Sequence, residues 1–476
     1  MPTDTNPLST ATPPVVLPVV LCPDCETAQQ VPPLPAHETA SCQVCGMELT
    51  RGDGNNEPML LALSLSALAL YFPATFMPLM IVTVNGDERG NTLFDGPIWL
   101  AQQNFHSLAL VVFLFTLLAP LLWLTGLSFV LGCLVSDYRP SYLGRVLRWT
   151  ETARIWAMPE VFLVGGLVAY SRVKALEPTD IATGGWIFLF YSAFVLAIEA
   201  LKDRHKLWEA ILPGTLDHAL IIDRAGRVAR INREGADGEE IAPEDAFTCH
   251  ACHMPLVVDP RVTAIRCPRC SAYTERRKPG SMHRCLALVI ASLLLYIPAN
   301  VLPIMTVVEF GSIDRNTIMS GVFELYQYGL WPLALIVFTA SILVPLLKLV
   351  GLSLCMIAAW PRTGRSHTIR TRGQHARLYR IIEHIGRWSN IDIFMISMLV
   401  ALIEFGNLAR VDAEPGAVAF AAVVILTMFA SRAFDPRLMW DALAHQEPVE
   451  KEDEHEELGR VSGARTYKEH MLDAQP

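Results

Sequence analysis

The chain has 476 residues, of which 52% are hydrophobic and 18% are charged, and its formal net charge is −9. Soluble domains carry about 25% charged residues. Here long apolar blocks alternate with short charged stretches, which excludes an ordinary soluble globular protein and predicts a chain embedded in a membrane.

The chain begins with a predicted disordered tail, residues 1–19, followed by a cysteine-rich segment over residues 20–53. The first 20 residues contain five prolines and neither Lys nor Arg. This composition is not that of a signal peptide, so we expect the cysteine-rich segment to stay in the cytoplasm. A second such segment is predicted over residues 247–279, after a cytoplasmic linker over residues 202–246.

Each cysteine-rich segment contains two Cys-x-x-Cys pairs, separated by sixteen residues in the first and fourteen in the second. The eight cysteines are Cys22, Cys25, Cys42, Cys45, Cys249, Cys252, Cys267 and Cys270. Two facing pairs supply four thiolates to one tetrahedral ion, and this spacing is close to that of a zinc ribbon. We therefore predict two structural zinc ions, although four cysteines also suit a single iron. The first ribbon has almost no basic residues, which argues against nucleic-acid binding.

Four membrane spans are predicted after each ribbon. In the first half, residues 58–201, they cover roughly 58–82, 104–135, 154–175 and 185–201. In the second half, residues 284–431, they cover roughly 284–308, 325–359, 385–406 and 416–431. Arginines concentrate in the loop after the second span of each half, so the positive-inside rule places the ribbons and both termini, including the tail 432–476, in the cytoplasm.

The two halves repeat one another. Tyr71 to Met80 recurs as Tyr296 to Met305, 225 residues later, and Trp156 recurs as Trp388, 232 residues later. The sequence thus predicts an α-helical integral membrane protein with two tandem repeats, each a four-cysteine zinc ribbon and a four-helix bundle. An even number of spans per copy makes the repeats parallel.

Charged side chains inside predicted spans are candidates for function. Lys348 lies in the apolar stretch 340–359, and its counterpart in copy one is Trp123. Asp392, whose counterpart is Glu160, could exchange a proton with Lys348, with Ser341 and Thr427 as nearby hydroxyls. The alternative is a static ion pair between helices, or an Asp392 that only caps its helix. By residue count Lys348 lies deeper than Asp392, so a direct contact needs a tilted helix.

Three motifs resemble the paraquat-inducible protein A family: Tyr-x-Pro-Ala-Asn-x-Leu-Pro-Ile-Met at 296–305, Trp-Ser-Asn-Ile-Asp-Ile-Phe at 388–394 and Phe-Asp-Pro-Arg-Leu-Met-Trp at 434–440. The resemblance covers roughly residues 20–445. It implies a Gram-negative inner-membrane protein with rubredoxin-like ribbons, which moves phospholipids between that membrane and a periplasmic tunnel protein built from MCE domains. Copy one departs from the first motif, with Thr75 in place of Asn.

A phosphate-binding G-x-x-x-x-G-K-[ST] string is absent from the sequence, so we expect no ATP hydrolysis by this chain and no enzyme activity. A proton gradient acting through Lys348 and Asp392 is the natural energy source. Two alternatives stay open: a redox-responsive membrane protein that uses its Cys-x-x-Cys thiols as switches, and a membrane scaffold for a periplasmic partner.

Overall fold

The computed structural model describes thirteen stretches of the chain: residues 19–31, 34–35, 38–52, 56–84, 87–174, 178–212, 220–222, 228–230, 246–258, 264–309, 312–360, 369–402 and 409–444. Most of the predicted N-terminal tail and linker, and the part of the C-terminal tail beyond residue 444, lie outside these ranges.

The first half begins with four short strands and continues with eight α-helices and three further strands. They are β1 (Val19–Leu21), β2 (Ala28–Gln30), β3 (Thr39–Ser41), β4 (Glu48–Arg51), α1 (Glu57–Phe76), β5 (Met80–Val84), β6 (Asp87–Asn91), α2 (Asp95–Gln102), α3 (His106–Phe113), α4 (Ala119–Val135), α5 (Leu143–Trp156), α6 (Pro159–Lys174), β7 (Thr179–Ile181), α7 (Thr183–Leu201) and α8 (Arg204–Ile211). Two strands follow, β8 (Leu220–Ile222) and β9 (Val228–Arg230).

The second half repeats this order. Its elements are β10 (Ala246–Thr248), β11 (Pro255–Val258), β12 (Ile265–Arg266), β13 (Tyr273–Thr274), α9 (Ser281–Val301), β14 (Met305–Glu309), β15 (Ser312–Asn316), α10 (Ile318–Gln327), α11 (Trp331–Phe338), α12 (Val344–Ala359), α13 (Ile369–Ile385), α14 (Ile391–Leu402), β16 (Ala409–Ala413), α15 (Pro415–Ala433) and α16 (Leu438–Ala444).

Seven helical segments among the described residues are long and apolar enough to cross a membrane. Four belong to the first half: Glu57–Phe76, His106–Val135, Leu143–Lys174 and Thr183–Leu201. Three belong to the second: Ser281–Val301, Trp331–Ala359 and Pro415–Ala433. The predicted span 385–406 corresponds to a 3₁₀ turn, Gly386–Asn390, and the twelve residues of α14. Residues 403–408 lie outside the described ranges, so this eighth span stays a prediction.

Each half contains one π-helical turn in its second span, Leu114–Leu118 and Thr339–Leu343, at the same repeat position. A π turn breaks the regular ladder of backbone hydrogen bonds. In both halves a tyrosine of the first span donates to a carbonyl of that turn: Tyr71 to Leu117 at 2.8 Å and Tyr296 to Ile342 at 3.1 Å. The repeat therefore extends to this local irregularity.

The first span of each half is shorter than the sequence predicts, and a strand follows it. Helices α1 and α9 end before Pro78 and Pro303, because the residue before a proline is biased away from helical geometry. Strands β5 and β14 are then the central strands of two antiparallel three-stranded sheets, β6-β5-β7 and β15-β14-β16. We call the end of the molecule that carries these sheets the strand end, and the opposite end the ribbon end.

The ribbons contact the opposite halves at the ribbon end. Cys22, Cys42 and Cys45 share a hydrophobic cluster with Leu349 and Leu352 of α12 in copy two. The cysteines of the second ribbon join the cluster that contains the helices of copy one. In the middle of the molecule α6 packs on α14, where Phe162 and Phe394 lie 5.5 Å apart between ring centroids. Two helical halves and two ribbons are thus interlocked.

Candidate functional site

The eight predicted metal ligands form two separate clusters, and within each cluster the four sulfur atoms lie within 4.8 Å of one another. In the first, Cys22 and Cys45 are 3.5 Å apart, as are Cys25 and Cys42. A tetrahedral zinc site with Zn–S bonds of about 2.3 Å places its sulfurs roughly 3.8 Å apart. All eleven cysteines are free. The residues present therefore fit one metal ion per cluster.

The backbone explains how each Cys-x-x-Cys pair is folded. The residue after the second cysteine has a positive φ in all four pairs: Glu26, Gly46, His253 and Ser271. Its N–H donates to the carbonyl of the first cysteine, for example from Gly46 to Cys42 at 2.8 Å. This left-handed residue closes a tight turn that directs both sulfurs to one point.

Neither histidine beside the second ribbon belongs to its sulfur cluster. The ring of His250 lies 2.9 Å from the carbonyl oxygen of Glu275, to which Nε2 donates. Burial, with the positive charge of Arg437 nearby, lowers the pKa of His250 to about 4, so the ring is neutral at pH 7. His250 therefore contributes to packing between the ribbon and the helices, and the ligand set remains four thiolates.

The first ribbon is fixed to copy two by Arg380 of α13. Its guanidinium lies 2.6 Å from the carboxylate of Asp24 and donates to the carbonyl of Cys45 at 2.7 Å. Two repeat-related aspartates add further contacts. Asp203 accepts from the backbone of Arg51 at 3.3 Å, and Asp435 accepts from the backbone of Lys278 at 3.0 Å. The sequence identified both aspartates as markers of the repeat, without indicating this contact.

Lys348 lies in α12 with only 2% of its surface exposed. Its Nζ donates to the carbonyl of Gly386 at 2.8 Å, to the hydroxyl of Ser389 at 3.2 Å and to that of Thr427 at 3.4 Å. An ammonium group has three N–H donors, and all three are satisfied here by neutral oxygens. Among the described residues no carboxylate lies within ion-pair distance of it. Thr427 was a sequence candidate; Gly386 and Ser389 were not.

Asp392, in α14, is 1% exposed, and neither of its carboxylate oxygens has a hydrogen-bond partner among the described residues. The same holds for the hydroxyl of Ser341, which is its neighbour together with Arg172. The structure therefore groups Lys348 with Thr427 and Asp392 with Ser341. It does not form a Lys348–Asp392 ion pair, as the depth difference in the sequence indicated.

Copy one contains a different cation at the corresponding place. Arg154 is the repeat counterpart of Gly386, since the offset there is 232 residues. Its guanidinium lies 5.0 Å from the ring centroid of Trp123, the counterpart of Lys348. It also forms ion pairs of 3.2 Å with Glu160 and with Glu199. Sequence reasoning treated Arg154 only as a loop arginine, although the offset relates it to the residue that faces Lys348.

Comparison with known proteins gives the same picture from independent data. The family model described as "Paraquat-inducible protein A" matches residues 59–211 and 282–444, one segment in each half. The chain is 32% identical to "Intermembrane transport protein PqiA" of Escherichia coli over 443 residues, which cover 92% of this chain and 97% of the relative.

Two further relatives are similar over most of their length. "Lipophilic envelope-spanning tunnel protein A" of Escherichia coli is 29% identical over 425 residues, covering 88% of this chain and 91% of the relative. "Probable intermembrane transport protein" of Haemophilus influenzae is 24% identical over 440 residues, covering 89% of this chain and 95% of the relative. No solved structure matches the chain.

Proposed function

The chain belongs to the paraquat-inducible protein A family, and from that premise we propose that it moves lipids between the inner membrane and a periplasmic MCE-domain tunnel protein. The resemblance found in the sequence is confirmed by the family model and by the Escherichia coli relative. Seven candidate spans and relatives named as intermembrane transport proteins support a multi-pass inner-membrane transport protein rather than an enzyme. The lipid cargo and the MCE partner are our proposal.

We propose that each ribbon holds one zinc ion on the cytoplasmic side. Four thiolates close the coordination shell and leave no position for a substrate, so the ion would supply structural rather than catalytic chemistry. The arginines of α5 and α13 at the ribbon end support the cytoplasmic placement by the positive-inside rule. Elemental analysis of the purified chain is expected to give two metal ions, retained under mild oxidant. Reversible disulfides with little bound metal would instead favour the thiol-switch alternative.

Proton coupling is proposed on one observation: the buried Lys348 ammonium has only neutral acceptors. A charge at this depth is costly without a counterion, which favours a functional role. In its neutral form the amine has two donors and one acceptor, and the rotatable hydroxyls of Ser389 and Thr427 can then donate to it. The site can thus hold or release a proton with its partners still hydrogen-bonded.

Asp392 is the proposed second station for the proton. It lies three residues after Ser389 in one continuous helical stretch, which puts the two on the same face. Its carboxyl oxygens lack hydrogen-bond partners among the described residues, and such a buried group calls for a role beyond packing. Ser341, beside it, lies in the π turn of the second span, a kind of irregularity that is frequent at functional sites.

The test uses the full chain in proteoliposomes with an imposed pH gradient and a fluorescent phospholipid whose transfer to acceptor vesicles is followed. We expect the transfer rate to depend on the gradient in the native chain and to lose that dependence in Lys348→Met. Gradient-independent transfer by the native chain would refute proton coupling but not transport. Co-purification with an MCE-domain protein encoded beside this chain tests the partner, and its failure would favour a different acceptor.

A further inference from the structure

An apolar cavity of about 330 Å³ lies between α6, α7 and the sheet of copy one, toward the strand end. This volume is at the lower end of the range for ligand pockets, about 300–1,000 Å³. Fourteen residues line it, and only Tyr170 and Trp186 among them carry a polar side-chain atom. The aromatic rings of Phe162 and Phe188, with centroids 5.4 Å apart, form part of its wall. The chemistry of the lining suits a hydrocarbon chain.

The space depends on a difference between the two copies. Gly166 lines the cavity, and its repeat counterpart is Met398, a buried residue with a long side chain. Met398 itself reaches across from α14 and lines the same cavity, with its sulfur 3.0 Å from where a Cβ at position 166 would lie. Glycine therefore leaves open in copy one a volume that methionine occupies at the equivalent position of copy two.

The mouth of the cavity faces the lipid side of the protein. Leu167, Trp186 and Leu189 line it and are 53%, 53% and 39% exposed. They belong to the segments Leu143–Lys174 and Thr183–Leu201, both candidate membrane spans. In such segments an exposed apolar side chain contacts acyl chains rather than water. A lipid tail is thus the apolar molecule that can enter from this side.

A cation lies at the strand end of the cavity. Lys174 is the last residue of α6, and its exposed Nζ donates to the Tyr170 hydroxyl at 2.8 Å, with Asp180 nearby. Its neighbour Arg172 points instead to copy two, where it donates to the carbonyl of Gly321 at 2.8 Å. A lysine near a span end reaches into the headgroup region, where it attracts negative charge.

We propose that this cavity binds one acyl chain of an anionic phospholipid, with the lipid phosphate against Lys174. The charge complementarity and the apolar lining together favour this occupant over a neutral apolar molecule. The inference deepens the proposed function, and rests on it, only in that the bound lipid would be the transported one. Binding itself requires neither a partner nor a gradient.

The experiment uses the full chain in phosphatidylethanolamine vesicles containing a minor fraction of phosphatidylglycerol that carries a photoactivatable diazirine in one acyl chain. A parallel sample carries the diazirine on phosphatidylethanolamine. Crosslinked peptides are mapped by mass spectrometry. We expect label from phosphatidylglycerol at residues 163–170 of α6 and 185–189 of α7, several-fold above the label at other lipid-facing positions.

Two variants fill the mouth from opposite walls, Leu167→Trp and Leu189→Trp, and each should lower this label several-fold. The matched control is Leu196→Trp, on α7 outside the cavity at a position 52% exposed; it should leave the label unchanged. Lys174→Gln should reduce the label from phosphatidylglycerol to that from phosphatidylethanolamine, and Lys174→Arg should restore it. Equal labelling by both lipids in the native chain would overturn the headgroup assignment. Even labelling of all lipid-facing helices, unaffected by either tryptophan, would overturn the site.

The same samples separate this inference from the transport proposal. Lys348→Met should label normally while its transfer of lipid loses dependence on the gradient. If Leu167→Trp and Leu189→Trp abolish the label and yet transfer lipid at the native rate, the bound lipid is not the cargo. Native labelling in a chain that transfers no lipid would retain the site and refute the transport function.

Discussion

The two halves of the chain each bury one cation near the ribbon end, but they supply it from different helices and surround it differently. In copy one Arg154 lies over Trp123 and pairs with Glu160 and Glu199. In copy two Lys348 extends from the Trp123 position toward the backbone of Gly386, the Arg154 position. An arginine held by two carboxylates keeps its charge permanently, whereas a lysine among neutral oxygens can release a proton. One scaffold thus carries a fixed charge and a changeable one.

The largest expected effect separates charge from proton release at position 348. Lys348→Arg retains the charge but cannot release a proton, so we expect transport to fall on the order of 10²–10⁴-fold, the range for a lost acid–base group. Arg154→Lys in copy one should leave transport close to native. Lipid transfer in proteoliposomes measures both. Because arginine is larger than lysine, Lys348→Met serves as the variant without added branching, and near-native transport by both would show that the proton is carried elsewhere.

The second prediction concerns stability and should give the opposite ranking of the two cations. Arg154→Ala leaves Glu160 and Glu199 without their shared partner, and breaking a buried ion pair costs about 3–5 kcal/mol. Lys348→Met removes a cation that has no carboxylate partner among the described residues, so the free energy of unfolding should stay the same or rise.

Unfolding of the purified protein in detergent, followed by circular dichroism, tests this ranking. The metal content of the ribbons shows whether each variant was folded at the start. If Lys348→Met proves as destabilising as Arg154→Ala, then Lys348 is a structural residue, and the contrast between the copies fails.

Sequence reasoning found the buried cation of copy two but not what surrounds it. Lys348 and Asp392 are visible because a charge in an apolar stretch needs no partner to be noticed. Gly386 and Ser389 are not visible, since they lie 38 and 41 residues away and only the fold brings them to Nζ. The hydroxyl of Thr427 was identified by its depth along the span.

The fold shows the same limit. The π turns and the contacts of the ribbons with the opposite halves depend on partners distant in sequence, such as Asp24 with Arg380. Strand β5 was interpreted as the end of a span, because its pairing of Met80 with Ile181 joins residues about a hundred positions apart. Local patterns, by contrast, gave the eight clustered cysteines and most helices.

The third prediction compares the repeat-related carboxylates. Glu160→Gln weakens the network around Arg154 and should destabilise the protein by about 1–3 kcal/mol, the cost of leaving a buried polar group poorly paired. Asp392→Asn keeps the size of a side chain that has no hydrogen-bond partner among the described residues, so stability should hardly change. Transport should respond in the reverse order, lost in Asp392→Asn and retained in Glu160→Gln. Normal transport in Asp392→Asn would remove it from the proton path.

The smallest effect on stability is expected at Gly386, where the contrast between the copies is set by a single missing side chain. A Cβ at this position would lie 2.8 Å from Cε and 3.1 Å from Nζ of Lys348. These atoms end a flexible chain that can move aside, so Gly386→Ala should cost under about 1 kcal/mol, less than overpacking a rigid core. The displaced ammonium would nevertheless lose its carbonyl acceptor.

We therefore expect Gly386→Ala to lower transport while unfolding is nearly unchanged. The matched control is Gly132→Ala in α4, where a Cβ meets nothing within 4 Å and alanine should stabilise the helix by about 0.5–1 kcal/mol. A glycine that mattered only for backbone freedom would give the same small change in stability at both positions and no change in transport. A selective loss of transport at Gly386 would instead show that the position of the Lys348 ammonium, rather than the presence of a charge, distinguishes copy two.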